Sequence, residues 1–139
     1  MQKLASVLLV DDDATTNFLL QRLLQQLGVT DHVPVAQNGE HALTLLAHTC
    51  LPPAPATCPA LVLLDLTMPV MSGVGFLEAY QPTPPAPLLV IVLLTAALSA
   101  RDRARLHARP VADIVEKPLT KEKLAMLLHR YFQRRLSAT

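Results

Sequence analysis

An α/β fold of three layers, with a parallel five-stranded sheet between helices, follows from three observations. Short apolar runs alternate with helix-period segments five times along the chain. The apolar runs are unbroken rather than alternating in polarity, as strands buried on both faces should be. Cap and turn residues stand between the two kinds of segment, and no internal repeat is visible. The 139 residues amount to a single domain, 1–139, long enough to bury a core.

The elements come in order. "SVLLV" (Ser6 to Val10) is the first strand. "ATTNFLLQRLLQQLG" follows as a helix, with Phe18, Leu20, Leu23, Leu24 and Leu27 at helical spacing and Gly28 as its stop. "HVPVA" (His32 to Ala36) is a weaker strand, placed at an edge by Pro34, whose missing N–H costs least there. "NGEHALTLLAHT" is the second helix, with Asn38 as N-cap. "ALVLLD" is the third strand, and "SGVGFLEAY" a short third helix weakened by Gly75. "LLVIVLLT" is the most apolar strand and belongs inside the sheet. "LSARDRARLHA" is a polar, partly exposed helix capped by Ser99. "VADIV" is the fifth strand, and "TKEKLAMLLHRYFQRRL" a closing amphipathic helix with Leu124, Leu127, Leu128 and Tyr131 on one face.

Composition narrows the function. A net charge of +1 argues against a dedicated nucleic-acid or membrane-surface binder. The basic clusters at Arg101 to Arg109 and Arg130 to Arg135 fit solvated helix faces, with partner surfaces as the alternative. The apolar run in "MQKLASVLLVDDD" is too short for a signal peptide, and Pro87 to Ala100 is too short to span a bilayer. Cys50 and Cys58, the only cysteines, flank a Pro-rich loop and can approach each other, and the expectation is two reduced thiols in a cytoplasmic protein. No Cys/His metal pattern surrounds them. Two Pro-rich stretches, Leu51 to Pro59 and Gln81 to Pro87, fall at the N-terminal edge of the sheet. Both fit stiff loop growth away from the site, with Pro-rich docking as the alternative.

The chemistry lies at the strand ends. The first strand runs into Asp11, Asp12 and Asp13, the third ends in Asp65, the fourth in Thr95, and Lys117 follows the fifth. A parallel sheet brings these positions to one edge, and ligands bind there where the winding reverses. Two carboxylates about 4 Å apart repel by roughly 4 kcal/mol at an effective dielectric near 20. A hard divalent cation such as Mg2+ relieves that repulsion. Asp65 then has a free oxygen to act as a nucleophile toward phosphorus, since aspartate forms aspartyl-phosphates. Mg2+ and Lys117 supply positive charge, and the Thr95 hydroxyl can donate to a phosphoryl oxygen. Asp13 reads as a helix cap rather than a ligand.

In the quoted stretches "LLVDDD", "AQNGEHAL", "LLDLTMPVMSG", "LLTA" and "VEKP" the chain resembles a response-regulator receiver domain of two-component signalling, of the stand-alone type, over nearly its whole length. The resemblance implies a flavodoxin-like sheet of order 2-1-3-4-5 flanked by five helices. It makes Asp65 the phosphoacceptor and gives Mg2+ the ligands Asp11, Asp12, Asp65 and the backbone carbonyl of Thr67. Thr95 becomes the switch hydroxyl, Lys117 the partner of the phosphoryl group, and Lys117-Pro118 the place for a cis bond. Ile114 stands where the family often carries an aromatic switch residue.

The implied function is a receiver that takes a phosphoryl group from the phosphohistidine of a sensor histidine kinase or a histidine phosphotransfer protein. It would not be an enzyme beyond its own phosphorylation and dephosphorylation. With no output domain expected after the last helix, it would signal by protein contact through the face of the fourth helix, fifth strand and fifth helix, where Arg101, Arg103 and Arg105 lie. No direct nucleic-acid contact and no membrane insertion are expected. Two other readings compete. One is a phosphorylation-independent interaction module, against which the intact acid, threonine and lysine set argues. The other is a small aspartate-nucleophile phosphatase, which wants a second acid where Thr67 stands.

Overall fold

The computed structural model describes residues 3–50, 58–80 and 89–133. Its strands are β1 (Val7–Val10), β2 (Val35–Ala36), β3 (Leu61–Asp65), β4 (Val90–Thr95) and β5 (Asp113–Glu116). Its helices are α1 (Ala14–Gln26), α2 (Gly39–Thr49), α3 (Gly73–Ala79), α4 (Ala100–Leu106) and α5 (Lys121–Phe132). All strand pairs are parallel, in the order β2-β1-β3-β4-β5. The winding reverses between β1 and β3, so the loops leaving these two strands part and open a crevice at their carboxyl ends.

The unbroken apolar runs are explained by the two faces of the sheet. Leu8, Val10, Val62, Leu64, Ile91 and Leu93 point to the side covered by α2, α3 and α4, through Ala42, Leu46, Val74, Phe76, Leu77 and Leu106. The alternate residues Val7, Leu9, Leu61, Leu63, Val92 and Leu94 face α1 and α5, through Leu20, Leu24, Leu124, Leu127 and Leu128. Aliphatic chains fill both layers, as the scarcity of aromatics requires. Each helix starts on a side-chain oxygen that accepts a backbone N–H: Asp13, Asn38, Ser72, Ser99 and Thr120. Such caps contribute about 1 kcal/mol each.

Four expectations change. The carbonyls of His32, Pro34 and Ala36 accept from the N–H groups of Val7, Leu9 and Asp11, but Pro34 has no N–H to return, and β2 shrinks to two residues. Phe18, placed with the buried face of α1, is 55% exposed, and Asn17 takes the buried position instead. Arg105 does not stand free on a basic face: its guanidinium forks onto the Glu78 carboxylate and ties α4 to α3. Cys50 and Cys58 are not thiols but a disulfide. The C-cap of α2 and the lead into β3 bring their Cα atoms to 4.4 Å, within bridging reach. The residues between these cysteines, the stretch Gln81 to Pro87, and Arg134 and Arg135 lie outside the described residues.

Candidate functional site

The edge at which β1 and β3 end carries the site. Four apolar residues precede Asp11 and four precede Asp65, and all eight are almost fully buried. The strands therefore fix both carboxylates against a rigid sheet. Asp65 pairs in register with Leu94, which sets Thr95 one residue beyond it, and the Lys117 N–H donates to the Thr95 carbonyl. Four separate segments are thus pinned to one another by main-chain bonds.

The side chains converge. Carboxylate oxygens of Asp11, Asp12 and Asp65 lie within 4.8 Å of one another, with Asp11 and Asp65 buried and Asp12 exposed. Lys117 Nζ is 2.7 Å from Asp65 Oδ1 and 3.5 Å from Asp11 Oδ2. Burial raises the Asp11 pKa above the ordinary carboxylate value; Asp65 and Asp12 add to this, while the Asp13 N–H and Lys117 oppose it. Burial acts to lower the Lys117 pKa, but its contacts with Asp65 and Asp11 outweigh that and raise it.

These residues fit a hard divalent cation. The donors are all oxygen, the acids crowd to a few ångströms, and the single ammonium leaves net negative charge. A carboxylate whose proton affinity is raised by burial, and further by neighbouring acids, is one whose charge a bound cation would offset.

The surrounding loops are shaped by close contacts. A Cβ at Gly73 would stand 2.5 Å from the Asp65 carbonyl oxygen, so only glycine fits there, and its N–H donates to Leu66 O. Val70 adopts φ 67°, a conformation that costs a β-branched residue strain, in a tight turn closed by Met71 N–H donating to Pro69 O. The Lys117-Pro118 bond is cis. Thr67 follows Asp65 by two residues, with its side chain exposed.

Two features were not foreseen. The Thr95 hydroxyl donates to Ala97 O at 2.7 Å and accepts from Ala97 N at 3.1 Å, so it is engaged with its own loop. Asn17 Nδ2 donates to Asp11 O at 2.9 Å from a buried position, while its Oδ1 has no protein partner. Its place in phase with Leu20 and Leu24 was the available signal: a polar residue on a buried stripe needs a partner.

The chain matches the response regulator receiver domain family over residues 7–129, and it belongs to that family. It is a receiver domain of two-component signalling, a class that pairs with sensor histidine kinases. Among its relatives, a probable chemotaxis protein CheY of Rhizobium etli is 29% identical over 126 residues, 91% of each chain. An uncharacterized 14.6 kDa protein of Leptolyngbya boryana is 32% identical over 94% of each. The crystal structure of a two-component response regulator from Cytophaga hutchinsonii superposes with a TM-score of 0.76 at 27% identity, covering 96% of this chain and all of that one. The signal receiver domain of a histidine kinase from Syntrophus aciditrophicus gives 0.73 at 26% identity, covering 96% of each. No helix among the described residues is long and apolar enough to cross a membrane.

Proposed function

We propose that the chain is a cytoplasmic phospho-receiver whose Asp65 takes a phosphoryl group from the phosphohistidine of a sensor kinase or phosphotransfer protein. The observation that carries this reading is the convergence of Asp11, Asp12 and Asp65 within 4.8 Å, with Lys117 against Asp65. Asp11, Asp12, Asp65 and the backbone carbonyl of Thr67 would hold Mg2+, which supplies charge neutralisation when bound. The residues do the rest. β3 holds the Asp65 carboxylate at the mouth of the crevice for in-line attack on phosphorus. Asp65 Oδ bonds to phosphorus as the bond to the donor imidazole nitrogen breaks, and the imidazole leaves with the electron pair. Lys117, already at hydrogen-bond distance, pairs with the phosphoryl oxygens as they arrive. Thr95 joins by exchanging its bond to Ala97 O for one to phosphate, and that exchange moves the β4–α4 loop.

The output is protein contact through α4, β5 and α5, with Arg101, Arg103 and Ile114 exposed there. With Ile114 at the position of the aromatic, the readout rests on Thr95 and its loop. No catalytic turnover of an external substrate, no direct nucleic-acid contact and no membrane insertion are assigned to it. Incubation with a small acyl phosphate and Mg2+, followed by intact mass measurement, tests the reading. One acid-stable, base-labile phosphoryl adduct is expected, dependent on the metal and lost in Asp65→Ala. No adduct on the unmodified chain would instead indicate a phosphorylation-independent interaction module.

A further inference from the structure

The only two cysteines of the sequence are joined, and the bond sits at a mechanically informative place. Cys50 is the C-cap of α2, its N–H donating to Leu46 O. Cys58 lies three residues before β3, the strand that delivers Asp65. At its other end α2 touches the acceptor loop: Gly39 N–H donates to Met71 O at 2.9 Å, and a Cβ at Gly39 would clash with the Met71 side chain and carbonyl. Between the two ends, Ala42 and Leu46 are buried in the same core cluster as Leu64 and Met68. One helix therefore spans from the disulfide to the loop that follows Asp65.

We propose that Cys50 and Cys58 form a reversible dithiol–disulfide site, open to exchange with a small thiol, that sets how firmly α2 is held against the strand and loop bearing Asp65. For its consequence at Asp65 the proposal rests on the phospho-receiver reading; for its chemistry it does not. Cys50 is partly exposed and Cys58 buried, so Cys50 Sγ is the atom an incoming thiolate reaches. The thiolate bonds to Cys50 Sγ as the Sγ–Sγ bond breaks, and Cys58 leaves as thiolate and takes a proton. A second thiolate attacks the mixed disulfide, releasing Cys50 and a small-molecule disulfide. Two electrons pass to the protein and one disulfide is made in solution. The cysteines are only 8 residues apart, so the reverse closure is short-range. In a reducing cytoplasm, protein disulfides are mostly transient or sensory, which suits an exchangeable bond better than a permanent one.

The test equilibrates the folded full chain in graded mixtures of reduced and oxidised glutathione, then quenches in acid, alkylates and weighs it. Interconversion across the series is expected. A bond that survives a large excess of reduced glutathione, or thiols that never close in the oxidised mixtures, would overturn the proposal. Hydrogen exchange on the two forms reads the coupling without any phosphorylation. Amides in the last turn of α2 should exchange at least tenfold faster when reduced, with a smaller rise at the Gly39–Met71 contact. Equal exchange in both forms would overturn the coupling. Labelling by a small acyl phosphate should differ at least twofold between the forms, and equal labelling would overturn the consequence at Asp65. Absence of label in both forms, with exchange still redox-dependent, would refute the phospho-receiver reading and the consequence drawn at Asp65, but leave the redox site standing.

Discussion

Gly73→Ala puts one methyl group where the fold has no room, and its effect can be followed from packing to chemistry. The added Cβ would sit 2.5 Å from Asp65 O, 3.1 Å from Leu66 Cα and 3.1 Å from Leu93 Cδ1. Carbon–oxygen contacts are comfortable at about 3.3 Å or more, so the shortfall is about 0.8 Å. Two of the three obstacles are backbone, and one belongs to the acceptor residue itself. Relief requires moving either the end of β3 or the start of α3, which Gly73 N–H ties to Leu66 O. Overpacking of this kind costs about 1–3 kcal/mol. In a domain of this length that is a fall of roughly 3–10 °C in melting temperature. A displacement near 1 Å of a reacting group costs on the order of 100-fold in rate. Circular dichroism melts give the first quantity. Labelling by a small acyl phosphate at saturating Mg2+, well below the melt, gives the second. A Gly73→Ala chain that melts lower but labels at the wild-type rate would refute the claim that this glycine sets the position of Asp65.

The remaining predictions concern the pocket. Lys117→Met should lower the melting temperature of the metal-free protein by several degrees, because the attraction to Asp65 at 2.7 Å is roughly 6 kcal/mol before desolvation offsets most of it; Mg2+ should then stabilise the variant more than the parent, and an equal Mg2+ effect in melts of both would count against a shared pocket. Asp11, its pKa raised above the unfolded value chiefly by burial, contributes stability that is present at low pH and lost as pH rises through the raised value. In a chelator, Asp11→Asn should therefore gain on the parent as pH rises above the ordinary carboxylate range in paired melts, and a difference flat with pH would contradict this. Asn17→Ala frees the buried Asp11 carbonyl and should cost about 1–3 kcal/mol in urea unfolding, with weaker Mn2+ binding by paramagnetic relaxation; unchanged metal affinity would reduce Asn17 to a structural role.

The fold was legible because each strand sits between two helical layers, and burial on both faces leaves an unbroken apolar run that no helix of the same length needs. The site was legible for a related reason: a parallel sheet sends every strand end to one edge, so Asp11, Asp65, Thr95 and Lys117 could be gathered without coordinates. What escaped depends on side-chain direction. Phe18 and Asn17 are neighbours, and helical spacing tolerated either as the inward residue; the Asp11 carbonyl needing a donor decided for Asn17. Arg105 differs from Arg101 and Arg103 only by meeting Glu78 across two helices, a pairing no local pattern encodes. The cysteine bond was missed because compartment was weighed above proximity, and the meeting of the α2 end with the lead into β3 supplies the proximity.

The convergence of three carboxylates and a lysine singles out one aspartate, Asp65, as the proposed phosphoryl acceptor. Borohydride reduction of the labelled protein, followed by peptide sequencing, marks the acylated side chain directly. Homoserine is expected at position 65 and nowhere else, only in samples labelled with Mg2+ present. A mark at Asp11, at Asp12 or outside the pocket would contradict it.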